Sequence, residues 1–220
     1  MITTIWFTLL HSLASQEISS SRPKLNKEDD GSMLDNMTDS SIQDIIKFLE
    51  IAGVLKRTQR TGWVDIGVYQ PESVADHTFR TAVFCMLYAD IEELDPLKIL
   101  RMALIHDLPE AIIGDLMPNQ KTAETRKKEE RAINQMLSLL PKTQREKYLA
   151  VWNEYQAGKT KEAKAVKQIE KIEMALQAKE YEKFGSDRRS FERFIETAEE
   201  ATVWPELKRI LSLVLEENGK

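Results

Sequence analysis

The chain holds three histidines, His11, His77 and His106. Two of them stand beside an aspartate, as Asp76-His77 and His106-Asp107. Imidazole and carboxylate together suit Mn, Fe, Co, Ni or Zn. Consecutive residues point about 100° apart on an α-helix, so His106 and Asp107 can meet one ion only near a helix end or kink. Pro109 supplies such a break. Taken alone, a His-Asp pair is usually accidental, and His77 reads equally well as a half-buried histidine. The segment His106-Asp-Leu-Pro-Glu-Ala-Ile-Ile-Gly-Asp115 shifts the balance. It sets His106, Asp107, Glu110 and Asp115 among apolar residues, with no Lys or Arg in the segment. Glu110 follows His106 by four and Asp107 by three, the spacing that meets on one helix face. Buried acids need a cation or each other, because burying them uncompensated costs on the order of several kcal/mol.

The elements that must carry these residues read as helices. Ile42, Ile45, Ile46, Leu49 and Ala52 recur at helical spacing, with Asp39, Ser40 or Ser41 as N-cap and Gly53 near the end. Residues 56–72 break the period and read as a loop. Ser73 and Asp76 stand three apart, as in a capping box, and open a helix reaching about Ile91. Asp95-Pro96 starts the next, with Asp as N-cap and Pro in the first turn. Its inward residues are expected to be Leu97, Leu100, Ala103 and Leu104. Further helices are expected near 122–140, 143–157, 160–184 and 190–217, the last interrupted before Pro205. No stretch alternates polar and apolar residues at length. The fold class is therefore all-α, a compact orthogonal bundle.

The 220 residues include only 8 Gly and 7 Pro, which favours long helices, and 42% are hydrophobic, enough for a substantial core. A net charge of −5 argues against a non-specific nucleic-acid binder. A small anionic ligand stays open, because one metal ion or one arginine reverses the potential locally. A single cysteine, Cys85, excludes a disulfide framework and a Cys-rich zinc site. The apolar stretch 1–13 is too short to span a bilayer and lacks a cationic leader region. Residues 15–41 read as a linker. Residues 1–40 are thus an extension and 41–220 one domain, and a chain begun at Met37 is expected to fold and keep its activity.

Several separated stretches carry a resemblance: Leu55-Lys-Arg-Thr-Gln-Arg-Thr-Gly-Trp-Val64, Pro71-Glu-Ser-Val-Ala-Asp-His77, His106 to Asp115, and Val166-Lys-Gln-Ile-Glu-Lys-Ile-Glu-Met174. In that order they resemble the HD-domain metal-dependent phosphohydrolases over roughly residues 42–215. The branch is that of the 5′-deoxynucleotidases of the YfbR and HD domain-containing protein 2 types. The resemblance implies an HD-domain helical bundle that binds a divalent cation (Mn, Co or Mg first, Zn or Fe next). It implies His77, His106 and Asp107 as metal ligands. Glu110 and Asp115 are implied as acids at the phosphate, for proton transfer or a second metal. Arg60 and Trp63 are implied as loop residues that meet phosphate and nucleoside, and Arg57 competes with Arg60. The chemistry agrees: arginine grips phosphate bidentately, and tryptophan offers a flat apolar face.

One residue departs from the family. Its distant ligand is an aspartate, and here that place holds Glu170, one methylene longer. The alternative for Glu170 is a solvated helix acid. The reaction implied is hydrolysis of (deoxy)nucleoside 5′-monophosphates to nucleoside and phosphate, in a cytoplasmic homodimer that contacts neither membrane nor nucleic acid. Two other readings stand beside it. One is an HD phosphohydrolase acting on a triphosphate, a cyclic dinucleotide or ppGpp, which would want more basic residues near the site. The other is an interaction protein whose site decayed through Glu170.

Overall fold

The computed structural model describes residues 36–117, 120, 122–184 and 188–216, together with Ser32 and Leu34. The chain divides into the units Met1–Met37 and Thr38–Lys220. The apolar start and most of the expected linker lie outside the described residues. The helices of the second unit are α1 (Asp39–Ala52), α2 (Thr61–Asp65), α3 (Val74–Ile91), α4 (Pro96–Ile105), α5 (Glu110–Ile113), α6 (Ala123–Leu137), α7 (Lys142–Ala157), α8 (Lys161–Lys183), α9 (Glu192–Ala201) and α10 (Pro205–Leu215). Among the described residues there is no strand, only an isolated antiparallel bridge between Gln59 and Ser73.

The helix starts follow local chemistry. The Ser73 side chain accepts from the Asp76 amide while the Asp76 carboxylate accepts from the Ser73 amide, closing the capping box expected for α3. Asp95 accepts from the amides of Leu97 and Lys98, with Pro96 in the first turn of α4. The start of α10 is held from a distance: Gln168 on α8 accepts from the amides of Val203 and Trp204, at 2.7 and 2.9 Å.

Helix α8 is the centre of the bundle, packed by α3, α4, α7, α9 and α10. Val166, Ile169, Ile172 and Ala175 of α8 join Cys85 and Ala89 of α3, Ile99 and Met102 of α4, and Leu207 of α10 in the main core. A second cluster gathers Leu55, Val74, Ile133, Met136, Leu137 and Trp152. A third, aromatic one holds Trp63, Phe191 and Phe194 with Met174. With neighbours all round it, α8 also buries polar side chains, Gln168 and Glu173 among them.

Two helices turn differently from the expectation. Leu97 and Leu104 of α4 are 54% and 52% exposed, while Ile99, Met102 and Ile105 face the core beside the expected Ala103, and Leu100 packs against it. The helix carries two apolar stripes, and the one that leads into His106 is the one packed inward. In α1, Ile42, Ile46 and Leu49 are exposed, and Phe48, Ile51 and Ala52 do the packing. The stretch 56–72 is not all loop: it contains α2, and Gly53–Lys56 before it is a 3₁₀ turn. The stretch 190–217 is interrupted before Pro205, as expected: Thr202–Trp204 part α9 from α10.

Candidate active site

The end of α4 explains how adjacent residues can face one point. The helix closes at Ile105, and His106 is its C-cap. Asp107 and Leu108 form the turn that leads through Pro109 into α5. His77 lies in the first turn of α3, one residue after the capping-box acid. The ligand atoms of His77, His106 and Asp107 lie within 4.8 Å of one another. Asp107 Oδ2 is 3.0 Å from His106 Nε2 and 3.9 Å from His77 Nε2. Glu170 enters from α8, its Oε2 3.5 Å from His106 Nε2. That carboxylate does not point to solvent: Tyr155 donates its hydroxyl to Oε2 at 2.7 Å, and Lys171 Nζ lies 3.1 Å from Oε1.

Arg60 reaches the cluster because its loop is tied at two places. Its amide donates to the Glu72 carbonyl and the Val74 amide donates to the Thr58 carbonyl, fastening the loop to the start of α3. Asp115 fastens it from the other side. One carboxylate oxygen accepts from the Thr61 amide at 2.7 Å, and the other accepts from Arg60 Nη1 at 3.1 Å. Gly114, at φ 80° and ψ 165°, turns the chain there, in a backbone region essentially closed to other residues. Arg60 Nη1 also stands 3.6 Å from Asp107 Oδ2. Arg57, the competing arginine, is exposed and does not line the cavity; Arg60 does.

Beside the cluster lies a cavity of about 280 Å³. Arg60, His77, Asp107, Glu110, Asp115 and Glu170 lie along one part of its lining. Leu116, Met117, Met174, Phe194, Thr197 and Arg193 also line it, with Gly62, Trp63, Lys171 and Tyr155. Glu110 is buried, at 5% exposure. Trp63 borders the cavity but is 1% exposed. Its Nε1 donates to Glu72 at 2.9 Å, and Phe194 lies against it with ring centroids 4.3 Å apart. It is therefore a wall of the aromatic core before it is a platform for a base. Gly62 sits in the same wall: a Cβ there would meet Phe194 Cε1 at 2.8 Å. Gly62→Ala is expected to lower stability by about 1–3 kcal/mol through overpacking. A urea unfolding midpoint that falls with the slope unchanged measures this; an unchanged midpoint would contradict it.

The electrostatics favour a cation at the cluster. Burial and the facing Arg60 charge push His77 well below its ordinary pKa, leaving a neutral imidazole suited to ligation. Burial opposes charge on His106, but the Asp107 and Glu170 carboxylates outweigh it and raise its pKa. Burial likewise opposes charge on Asp107, yet His106 and Arg60 hold its carboxyl well below the usual carboxylate range. For Glu170, burial raises while the Lys171 ammonium and His106 lower, and the carboxyl comes to about 2. His106 donates Nδ1–H to the Ala103 carbonyl at 2.7 Å, which turns Nε2 toward the carboxylates. Buried Nε2 has no hydrogen-bond partner among the described residues, since its two carboxylate neighbours lie off the hydrogen-bond direction. A buried imidazole nitrogen flanked by two carboxylates that draw positive charge to it fits a divalent cation with nitrogen and oxygen ligands, taken up in exchange for the proton.

The residues match the HD domain family from 52 to 208. This chain belongs to the HD domain family. The HD domain here is similar to the 5′-deoxynucleotidase HDDC2 of Mus musculus, 38% identical over 170 residues, which are 76% of this chain and 85% of that protein. The human 5′-deoxynucleotidase HDDC2 is 43% identical over 142 residues, 64% of this chain and 69% of its own length. Among solved structures, a conserved hypothetical protein of Pyrococcus furiosus superposes with a TM-score of 0.65. It is 35% identical and covers 77% of this HD-domain chain and 98% of its own.

Sequence reasoning missed several of the cavity's residues. Arg193, Phe194 and Thr197 come from α9, and Tyr155 from α7; no local pattern ties them to the histidines. Glu173 and Arg80 carried a signal, since each lies three residues after a candidate ligand, on the same helix face. Glu173 is 1% exposed and faces His77 Nδ1. Burial pushes its carboxyl up to about 7, against the pull of Arg80.

Proposed function

We propose that this protein is a divalent-metal-dependent phosphohydrolase, a 5′-deoxynucleotidase that converts deoxynucleoside 5′-monophosphates to nucleoside and phosphate. The observation that carries the reading is the convergence of His77, His106 and Asp107, two of which, His77 and Asp107, border the cavity that Arg60 also lines, within an HD domain whose relatives bear that name.

His77, His106, Asp107 and Glu170 would hold the cation. Bound there, a divalent cation lowers the pKa of a water ligand and polarises a phosphoryl oxygen. The remaining work belongs to the chain. Arg60, held by Asp115, offers its guanidinium to the equatorial phosphoryl oxygens, where charge sits during phosphoryl transfer. Asp115 has both carboxylate oxygens engaged by Arg60 and Thr61, so its first task is to place that guanidinium. Glu110 is then the acid assigned to proton transfer at the reacting oxygens. Met117, Met174 and Phe194 offer an apolar surface for the nucleoside. Cys85 is buried, and burial pushes its thiol well above its ordinary pKa; it takes no part as a nucleophile.

Purified protein should release phosphate from deoxynucleoside monophosphates when supplied with Mn²⁺, Co²⁺ or Mg²⁺, and chelation should stop it. Faster hydrolysis of triphosphates, or activity indifferent to chelation, would defeat the reading. One observation favours a longer phosphate chain as the second reading: Arg193 adds a guanidinium to the cavity that the Arg60 loop alone did not promise.

The homodimer and the cytoplasmic location belong to the same proposal. Phe79, Val83, Met86, Leu87 and Ile91 form an exposed apolar stripe along α3, which supports pairing with a second copy. Light scattering on the eluting protein tests it, and a monomer at micromolar concentration would refute it. Among the described residues no helix is long and apolar enough to cross a membrane.

A further inference from the structure

We propose that Glu173 is a positioning residue for the metal centre: its carboxylate accepts the proton of His77 Nδ1 and so aims the Nε2 lone pair at the ion, with Arg80 anchoring the carboxylate from outside. This rests on the metal-centre reading above.

The geometry is a chain of four contacts running outward from the cavity. His77 and Glu173 are 2% and 1% exposed, and Nδ1 of the one faces Oε2 of the other. The second oxygen of Glu173 accepts from Arg80 Nε at 2.8 Å. Arg80 then donates Nη1 to Glu180 and Nη2 to Gln177 near the surface. The register makes this possible. His77 and Arg80 are three apart on α3, and Glu173, Gln177 and Glu180 repeat at four and three on α8, so two packed helices set their faces opposite each other.

With the Arg80 guanidinium bound to its other oxygen, Glu173 meets the ring as a carboxylate, an acceptor only, so the imidazole nitrogen facing it carries the hydrogen and the other nitrogen keeps its lone pair. Ligating histidines commonly have such a partner, which fixes tautomer and ring orientation. His106 has one in the Ala103 carbonyl. Glu173 gives His77 the same constraint and adds negative charge behind the ring.

Two simpler roles fit less well. Were Glu173 only an ion-pair partner for Arg80, it would not need burial, since the half-exposed Arg80 already has Glu180. A second ion among Glu72, His77 and Glu173, whose ligand atoms also lie within 4.8 Å of one another, would compete with existing partners. Trp63 Nε1 occupies Glu72, and Arg80 occupies Glu173.

The test uses the full chain, Co²⁺ as the titrant, and ¹⁵N-labelled histidine. The wild type stripped of metal should show His77 as the Nδ1–H tautomer. Glu173→Leu should lose that preference and bind Co²⁺ about 10–100-fold more weakly, the usual effect of removing such a partner. Glu173→Gln keeps an acceptor oxygen without the charge; it should retain the tautomer and fall between. Arg80→Met should weaken Co²⁺ binding less than Glu173→Leu. The nitrogen shifts of the wild type need no variant, and the isosteric glutamine covers a leucine variant that fails to fold. An Nε2–H tautomer in the wild type overturns the proposal. So does wild-type Co²⁺ affinity in both Glu173 variants when His77→Ala binds weakly. Should His77→Ala itself bind Co²⁺ like the wild type, the metal-centre reading fails instead.

Discussion

His106→Ala is expected to reduce phosphate release to the level of the blank and to remove most of the bound metal, while the helices stay formed. The imidazole is central to the cluster: its Nε2 lies 3.0 Å from Asp107 Oδ2 and 3.5 Å from Glu170 Oε2. Without it the two carboxylates face each other across a cavity with one nitrogen ligand fewer, and like charges at that range repel. The backbone loses only the Nδ1–H donor to the Ala103 carbonyl, and the amide of residue 106 still donates to the Met102 carbonyl that closes α4. Circular dichroism should therefore change little, and metal content by mass spectrometry should drop. The measurement that decides is activity after chelation and add-back of Mn²⁺. Wild-type turnover in that assay would mean that the site lies elsewhere.

Glu170 gives the second large effect, and its variants separate charge from reach. Its carboxylate is held by Tyr155 and Lys171 and turned toward His106. Glu170→Ala should weaken metal binding by at least the roughly 10–100-fold that even an outer partner of a ligand commands, with activity falling alongside. Glu170→Gln keeps the length but loses the charge that balances the cation, so it should resemble alanine. Glu170→Asp keeps the charge and restores the side chain usual in the family. It should fall between, or exceed the wild type if α8 already stands close enough for the shorter arm. Calorimetric titration with Mn²⁺ orders the three. Should all of them bind metal like the wild type, Glu170 is not a ligand. The ion would then be completed by Glu110, Asp115 or water.

Much of the bundle was legible because its signals are local. The Ser73–Asp76 capping box and the Asp95-Pro96 start depend on residues within one turn of each other, and each helix begins where these say. The histidines and the acids after them were legible for a related reason. Four ionisable groups in a short apolar segment without a basic residue pose a charge problem visible in one dimension. The resemblance then supplied the distant members, His77 and Glu170, which no spacing rule connects.

The sequence by itself determined that the chain is helical, where most helices start and stop, and which residues could ligate a cation. Only the tertiary structure decided which face of α1 and α4 turns inward. Both helices carry two apolar stripes, and the choice depends on what packs against them. It also decided that Trp63 is nearly buried, that Asp115 grips Arg60, and that Glu173 and Arg80 stand behind His77. These contacts join residues up to about a hundred positions apart. The pairing energy of such contacts exists only after α3, α5 and α8 have packed, so a linear pattern can mark a helix face, as the spacing of Arg80 and Glu173 does, without showing what that face meets.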